Sequence, residues 1–223
     1  MRISIMQPSY LPYVGYFDLM KRCDAMVFLN DVQYTKNDWR NRNQVKTPQG
    51  ACWLTIPIGS PKETMNKVKL PDGNWREKHK KTLEMNYSRA PHFQEYYPGI
   101  CSIIDTKSLA GTIDMFNVLG IIEFTKMLGL RAGVRLSSGI GFQEQHKTDR
   151  LISICKHMAA TEYLSPNGSE PYLEVDKLNR AGIRVIWQDF QPKEYPQQWG
   201  KFISHLSIVD LLMNCGRKSN GFI

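Results

Sequence analysis

Fourteen residues from Asn30 to Asn43 hold three cations, two carboxylates, four asparagines and two aromatic rings, with almost nothing suited to a core. Lys36, Arg40 and Arg42 form a candidate clamp, because guanidinium groups bind phosphates and carboxylates through paired hydrogen bonds. Tyr34 and Trp39 can stack on a planar base or a sugar face, and Asn41 adds a polar contact. A solvated charged loop would show the same composition, so both readings stand at this point.

Two further segments carry polar chemistry. Gln7–Phe17 contains Gln7, Tyr10, Tyr13 and Tyr16 among prolines, with Gly15 permitting a close backbone approach. Ser165, Asn167, Gly168 and Tyr172 offer hydroxyls and backbone N–H donors to an anion, and Ser137 with Ser138 repeats the pattern more weakly. An ordinary turn explains either segment equally well. His79 recurs with Trp75, Leu83 and Tyr87 at four-residue spacing, which suits a core histidine or an acid–base group. His146, His157 and His205 have no partner at metal-ligand spacing, so no metal site is expected. Cys155 reads as helix packing. No H-E-x-x-H, G-x-S-x-G, Walker A or G-x-G-x-x-G pattern occurs, which removes the main support for zinc proteases, α/β-hydrolases, P-loop enzymes and simple dinucleotide binders.

The elements that must position these residues alternate. Ile3–Met6 reads as a strand ended by Pro8, Val14–Arg22 as a helix and Ala25–Leu29 as a strand, which together make a βαβ unit. Trp53–Ile58 reads as a third strand with Pro57 at its end or on an edge. Helices follow at Trp75–Tyr87, at Pro91–Ile104 with an interruption at Pro98 and Gly99, and at Ile113–Leu128 with Gly129 as its stop. Strands at Gly133–Leu136, Thr161–Leu164 and Ile183–Trp187 alternate with helices at Thr148–Met158 and Ser204–Cys215. This predicts one α/β domain over 1–223, a mostly parallel sheet flanked by helices, Rossmann-like, whose ligand loops follow the strands. Tyr13-Val14-Gly15-Tyr16 occupies the place of the H-x-G-H turn in the nucleotidylyltransferase and class I synthetase superfamily, with tyrosines for both histidines. Neutral tyrosine cannot replace a cationic imidazolium on phosphate.

The 223 residues carry a net charge of +8, which favours phosphorylated or polyanionic partners. No apolar run approaches the roughly 18 residues of a membrane span, so no stable membrane insertion is expected. The N-terminus meets polar residues and proline too early for a signal peptide, and the expected location is the cytoplasm. Five dispersed cysteines without a C-x-x-C pair argue against a disulfide framework.

Gln7–Phe17, Asp31–Tyr34, Trp39–Asn43, Trp53–Pro57, Tyr163–Ser165, Tyr172–Leu173, Gly182–Ile183 and His205–Leu212 together resemble the WbqC-like family of bacterial O-antigen and surface-polysaccharide gene clusters. The resemblance implies a glycine transferase that adds an aminoacyl group to an amino sugar or nucleotide-sugar. Under that implication Lys36, Arg40 and Arg42 clamp a phosphate, Tyr34 and Trp39 stack on base or sugar, and Gln7 and Tyr10 are polar fixtures. His79 or Asp31 is then the base, with Lys36 beside them as a further catalytic candidate. ATP with magnesium or an aminoacyl donor would supply the activated group, and Arg76–Lys81 would attract tRNA if that were the donor. A binding protein for a sugar-nucleotide or lipid-linked sugar without chemistry, a nucleotidylyltransferase, and an RNA-binding module, whose binding would weaken steeply with salt, are the other readings. Donor, acceptor and oligomeric state stay open.

Overall fold

A computed structural model describes residues 1–106, 111–142 and 147–223, and His146 lies outside them. In chain order the elements are β1 (Arg2–Met6), α1 (Val14–Arg22), β2 (Ala25–Phe28), β3 (Arg42–Thr47), β4 (Gly50–Thr55), α2 (Trp75–Tyr87), α3 (Phe93–Asp105), α4 (Ile113–Met127), β5 (Gly133–Leu136), α5 (Lys147–His157), β6 (Glu162–Ser165), α6 (Val175–Arg180), β7 (Arg184–Trp187) and α7 (Ile208–Cys215). The fold is α/β: β5-β2-β1-β6-β7 form a five-stranded parallel sheet flanked by helices. Counted along the chain, its strands lie in the order 3-2-1-4-5, the doubly wound arrangement.

Alternation along the strands produces the two layers. Ile3 and Ile5 of β1 and Ala25 and Val27 of β2 pack with Ile154, Cys155 and Leu178 from α5 and α6. Met6, Met26 and Phe28 face the opposite layer, where α1, α4 and α7 contribute Phe17, Phe124 and Leu211. Cys155 is fully buried in packing, and burial pushes its thiol up to about 12. No described helix is long and apolar enough to cross a membrane.

Residues 29–132 intervene between β2 and β5 and return through α4. Here the structure departs from the sequence expectation. Trp53–Ile58 does not join the parallel sheet; Trp53–Thr55 closes β4, which pairs antiparallel with β3 in a separate hairpin. β3 begins inside the polar run at Arg42, because Asn43 and Val45 turn inward while Arg42 and Gln44 stay partly exposed. Pro98 does not interrupt α3. The proline forfeits one backbone bond, but the buried stripe Phe93, Tyr96, Ile100 and Ile103 holds the helix through it. Gly129 stops α4 as expected, at φ +66°, a conformation that favours glycine. The final helix starts at Ile208 and not at Ser204; Ser207 caps it, its hydroxyl accepting from the Val209 N–H at 3.3 Å.

Candidate functional site

A doubly wound sheet leaves a crevice beyond the carboxyl ends of its strands where the order reverses, here between β1 and β6. The segment after β1 opens with Gln7, whose carbonyl oxygen accepts from the Tyr16 hydroxyl at 3.0 Å. The Gln7 side-chain oxygen accepts a short bond from Arg40 Nε, and Arg40 Nη1 lies 2.5 Å from Asp38 Oδ2. Burial alone would raise the Asp38 carboxyl, but Arg40, the Trp39 N–H and the Thr35 hydroxyl outweigh it and hold it below its ordinary value. Arg40 is thus oriented from two sides and partly open to solvent, with no bond from Nη2 among the described residues. Asn117 on α4 ties the two loops together by donating to Pro8 O at 3.2 Å and Arg40 O at 2.8 Å.

A second polar cluster sits beyond β2 and β5. Asp31 Oδ1 accepts from Ser137 Oγ and Arg150 Nη2, and the Asp31–Arg150 pair is buried. Asn30 joins it by donating to Asp114 Oδ2 at 2.9 Å and accepting from the Ser138 N–H at 3.1 Å. Asp31 therefore has one oxygen doubly engaged, while its Oδ2 is buried without a bond. This makes Asp31 and Ser137 a brace between strand ends, and Arg150 on α5 is its unforeseen member.

The three tyrosines of Gln7–Phe17 separate. Tyr10 and Tyr16 are buried to within 1% of full enclosure, and Tyr34 is buried as well, its hydroxyl without a partner and pushed up to about 12 by burial. The Tyr10 hydroxyl lies 2.8 Å from His79 Nδ1, and His79 Nε2 lies 3.2 Å from Thr55 O. A carbonyl only accepts, so Nε2 carries the proton and Nδ1 accepts from Tyr10. Burial pushes the His79 imidazole down to about 4, against a weaker opposing bond to Thr55. Both nitrogens of His79 are engaged within the fold and the residue is buried, an arrangement suited to a core histidine.

Tyr13 stays half-buried and stacks on the exposed His205 ring at 5.6 Å and 27°, with Phe190 edge-on at 6.3 Å. His205 Nδ1 lies 2.9 Å from Ser204 Oγ, while its backbone takes φ +60°, strained for a residue with a side chain. Gly15 makes room for the Tyr13 ring: a Cβ there would come within 2.5 Å of it. At the end of β7, the Gln188 amide donates to Gly15 O at 2.6 Å and Asp18 Oδ2 at 2.9 Å.

The loop after β6 places Ser165 Oγ 2.5 Å from Ser169 Oγ, both buried, with Gly168 exposed and Tyr172 under Lys147 at 5.3 Å. Asn167 opens the 3-10 turn Asn167–Tyr172, and its side chain lies outside the described residues. Lys36 is exposed. Asn41 is buried, donating to Ile56 O at 2.9 Å, so it fixes the loop to the chain leaving β4. Arg42 lies 4.3 Å over the Trp53 ring, and Trp53 contacts Trp39 at 5.6 Å. Of the basic cluster on α2, Arg76 is buried over Trp75 and bonded to Ile104 O, and Lys80 is paired with Glu77 and Asp105.

The structure thus gathers Gln7, Arg40 and Asp38 in one place, Asp31 and Ser137 in another, and encloses Tyr10, Tyr16, Tyr34 and His79. Trp53 and Arg150 escaped sequence reasoning because a strand residue and a helix residue carry no local sign of such partners. His205 stood in a motif, HLSIVDLL, without a visible role. Among the described residues no three His, Cys, Asp or Glu side chains gather to hold a metal ion.

Comparison with known proteins places these loops in a family. The chain is 34% identical over 227 residues to the uncharacterized protein Rv1507c of Mycobacterium tuberculosis, covering 100% of this chain and 97% of the relative. No solved structure matches. The WbqC-like protein family matches residues 7–221, from the glutamine that holds Arg40 to the final 3-10 turn, and this chain belongs to it.

Proposed function

We propose that the protein is an aminoacyl transferase that adds glycine to an amino sugar or nucleotide-sugar in surface-polysaccharide biosynthesis. The observation that carries this reading is Arg40, a guanidinium held by Gln7 and Asp38 at the end of β1 with donors left for an oxyanion. Such a group suits the phosphate of a nucleotide-sugar, because its orientation is set before the ligand arrives. In the transfer, the sugar amine attacks the carbonyl carbon of a glycyl group activated as an ester or mixed anhydride. An N–C bond forms, the bond to the leaving oxygen breaks, and the amine proton passes to a base. The exposed His205 imidazole, stacked on Tyr13 beside the start of α1, is the base in this reading. Asp31 and Ser137 then hold the ends of β2 and β5 in place, and Lys36 is an exposed cation on the same loop as Arg40.

A nucleotide-sugar binding protein without transfer is the second reading, favoured by the engagement of both His79 nitrogens and of Asp31 Oδ1. Calorimetry with UDP-linked amino sugars, beside labelled-glycine transfer in the presence of ATP, magnesium and a tRNA pool, separates the two. Binding lost in Arg40→Ala together with transfer lost in His205→Gln supports the transferase. Binding without transfer in the native protein selects the second reading, and unchanged binding in Arg40→Ala removes the clamp from both.

A further inference from the structure

The β3–β4 hairpin has one buried face and one open face. Asn43, Val45 and Leu54 point inward, while the register sets Gln44 opposite Trp53 and Arg42 opposite Thr55 on the outer side. Trp53 is 41% exposed there, and Trp39, arriving from the polar loop, is 45% exposed beside it. Their ring centroids are 5.6 Å apart with planes inclined at 39°. Two large aromatic rings that pack on each other while staying exposed form an apolar surface.

The geometry limits what lies on it. A nucleobase inserted between two rings needs two contacts of about 3.5 Å each, so roughly 7 Å of separation and parallel planes. The observed pair is too close and too tilted for that. A tilted corner instead suits a puckered ring whose axial C–H groups project from both sides of its mean plane, as in a pyranose. The charge around the corner fixes the rest. Arg42 lies 4.3 Å over the Trp53 ring, its Nε buried without a partner, and Arg40 adjoins Trp39 in sequence. Lys36, Arg40 and Arg42 share the Asn30–Asn43 segment with two carboxylates, Asp38, which Arg40 already engages, and Asp31, which is bound to Arg150. The surplus positive charge complements an anionic ligand.

We propose that Trp39, Trp53 and Arg42 form a stacking platform for the pyranose ring of a phosphorylated saccharide. The platform gives the sugar end of the ligand its place. It rests on the reading above for the phosphate end and stands by itself for the ring. Trp53 is then a binding residue, and the hairpin, set apart from the parallel sheet, is the element that carries sugar recognition.

The test titrates hexopyranose 1-phosphates of gluco, galacto and manno configuration, their neutral methyl glycosides, and UDP. Tryptophan fluorescence and saturation-transfer NMR are the readouts. The native protein is expected to transfer saturation to the sugar-ring protons. Trp53→Ala and Trp39→Ala each weaken sugar-phosphate binding at least ten-fold and leave UDP binding unchanged, while Trp53→Phe keeps most of the affinity. Absence of saturation transfer from the whole panel overturns the platform, as does native affinity in both alanine variants. Sedimentation that shows the native protein as a dimer and Trp53→Ala as a monomer also overturns it, by making the corner a contact between two copies. Loss of UDP binding in Arg40→Ala bears on the clamp, and loss of the ring signal in Trp53→Ala bears on the platform, so failure of one is distinguishable from failure of the other.

Discussion

Tyr10 and Tyr13 stand three residues apart in one loop, and each meets a histidine from elsewhere in the chain. Tyr10 and His79 are enclosed, joined by a hydrogen bond, and surrounded by Trp75 and Phe116. Tyr13 and His205 touch only by stacking, at the surface, with strained backbone under the histidine. The difference lies in what each tyrosine's backbone is bound to. Tyr10 N donates to Trp39 O at 2.8 Å and Asn43 donates to Tyr10 O at 3.2 Å, which draws the ring into the insertion between β2 and β5. Tyr13 ends the loop just before α1 and bridges to Ser207 ahead of α7. One pair supports the loop and the other is available at its edge, so residue type alone does not assign chemistry to a histidine.

The two pairs respond differently to change. His79→Ala leaves a cavity among aromatic rings and strands the Tyr10 hydroxyl and Thr55 carbonyl, and urea unfolding is expected to show a loss of about 3 kcal/mol. Acid has a similar effect on the native protein. Unfolding restores an ordinary imidazole near 6.5, so between that value and about 4 the unfolded chain takes up a proton that folded His79 refuses. Stability is full above 6.5, declines through that window, and the His79 contribution, about 3 kcal/mol, is gone below it. A His79→Gln variant that keeps the same slope over this window would assign the slope to other groups. Tyr10→Phe removes only the hydrogen bond, with an expected cost of about 1 to 2 kcal/mol by the same titration.

The exposed pair shows smaller effects on stability. Gly15→Ala displaces the Tyr13 ring, and its cost is offset by better helix propensity, so the net change stays within about 1 kcal/mol. The His205 ring resonances should shift as the stack separates, and an unchanged NMR spectrum would show that the ring is not held there. His205→Ala is expected to alter stability by less than about 0.5 kcal/mol while lowering the proposed glycyl transfer about a hundred-fold. Retained transfer in that variant would leave both histidines without a catalytic part.

Much of the architecture was legible because the parallel strands are short apolar runs separated by helices with clear ends. Val14–Arg22, Trp75–Tyr87 and Gly133–Leu136 were read with their observed limits. The hairpin was not, since β3 begins with Arg42-Asn43-Gln44, residues that usually mark a loop, and its inward asparagine is satisfied by the Tyr10 and Leu11 carbonyls. α6 was missed for its shortness. Among site residues, the likelihood of a charged contact near Arg40 followed from composition, but which cation is braced depended on Gln7, thirty-three residues earlier. Burial of Tyr34 and Asn41 could not be foreseen, because Tyr34 stands between exposed residues and Asn41 between two partly exposed arginines, in a polar run without periodicity.

The central strand has a consequence for synthesis of the protein. β1 has its β2 partner available once Phe28 has emerged, but its other side waits for β6, more than a hundred residues later. At ordinary translation rates that interval is on the order of ten seconds. During it, Arg2 and Ile3 present an unpaired strand edge that any nascent neighbour can join. A ribosome-bound chain stopped before Glu162 would be the form most prone to aggregate, and release of the residues through Ser165 would close that edge.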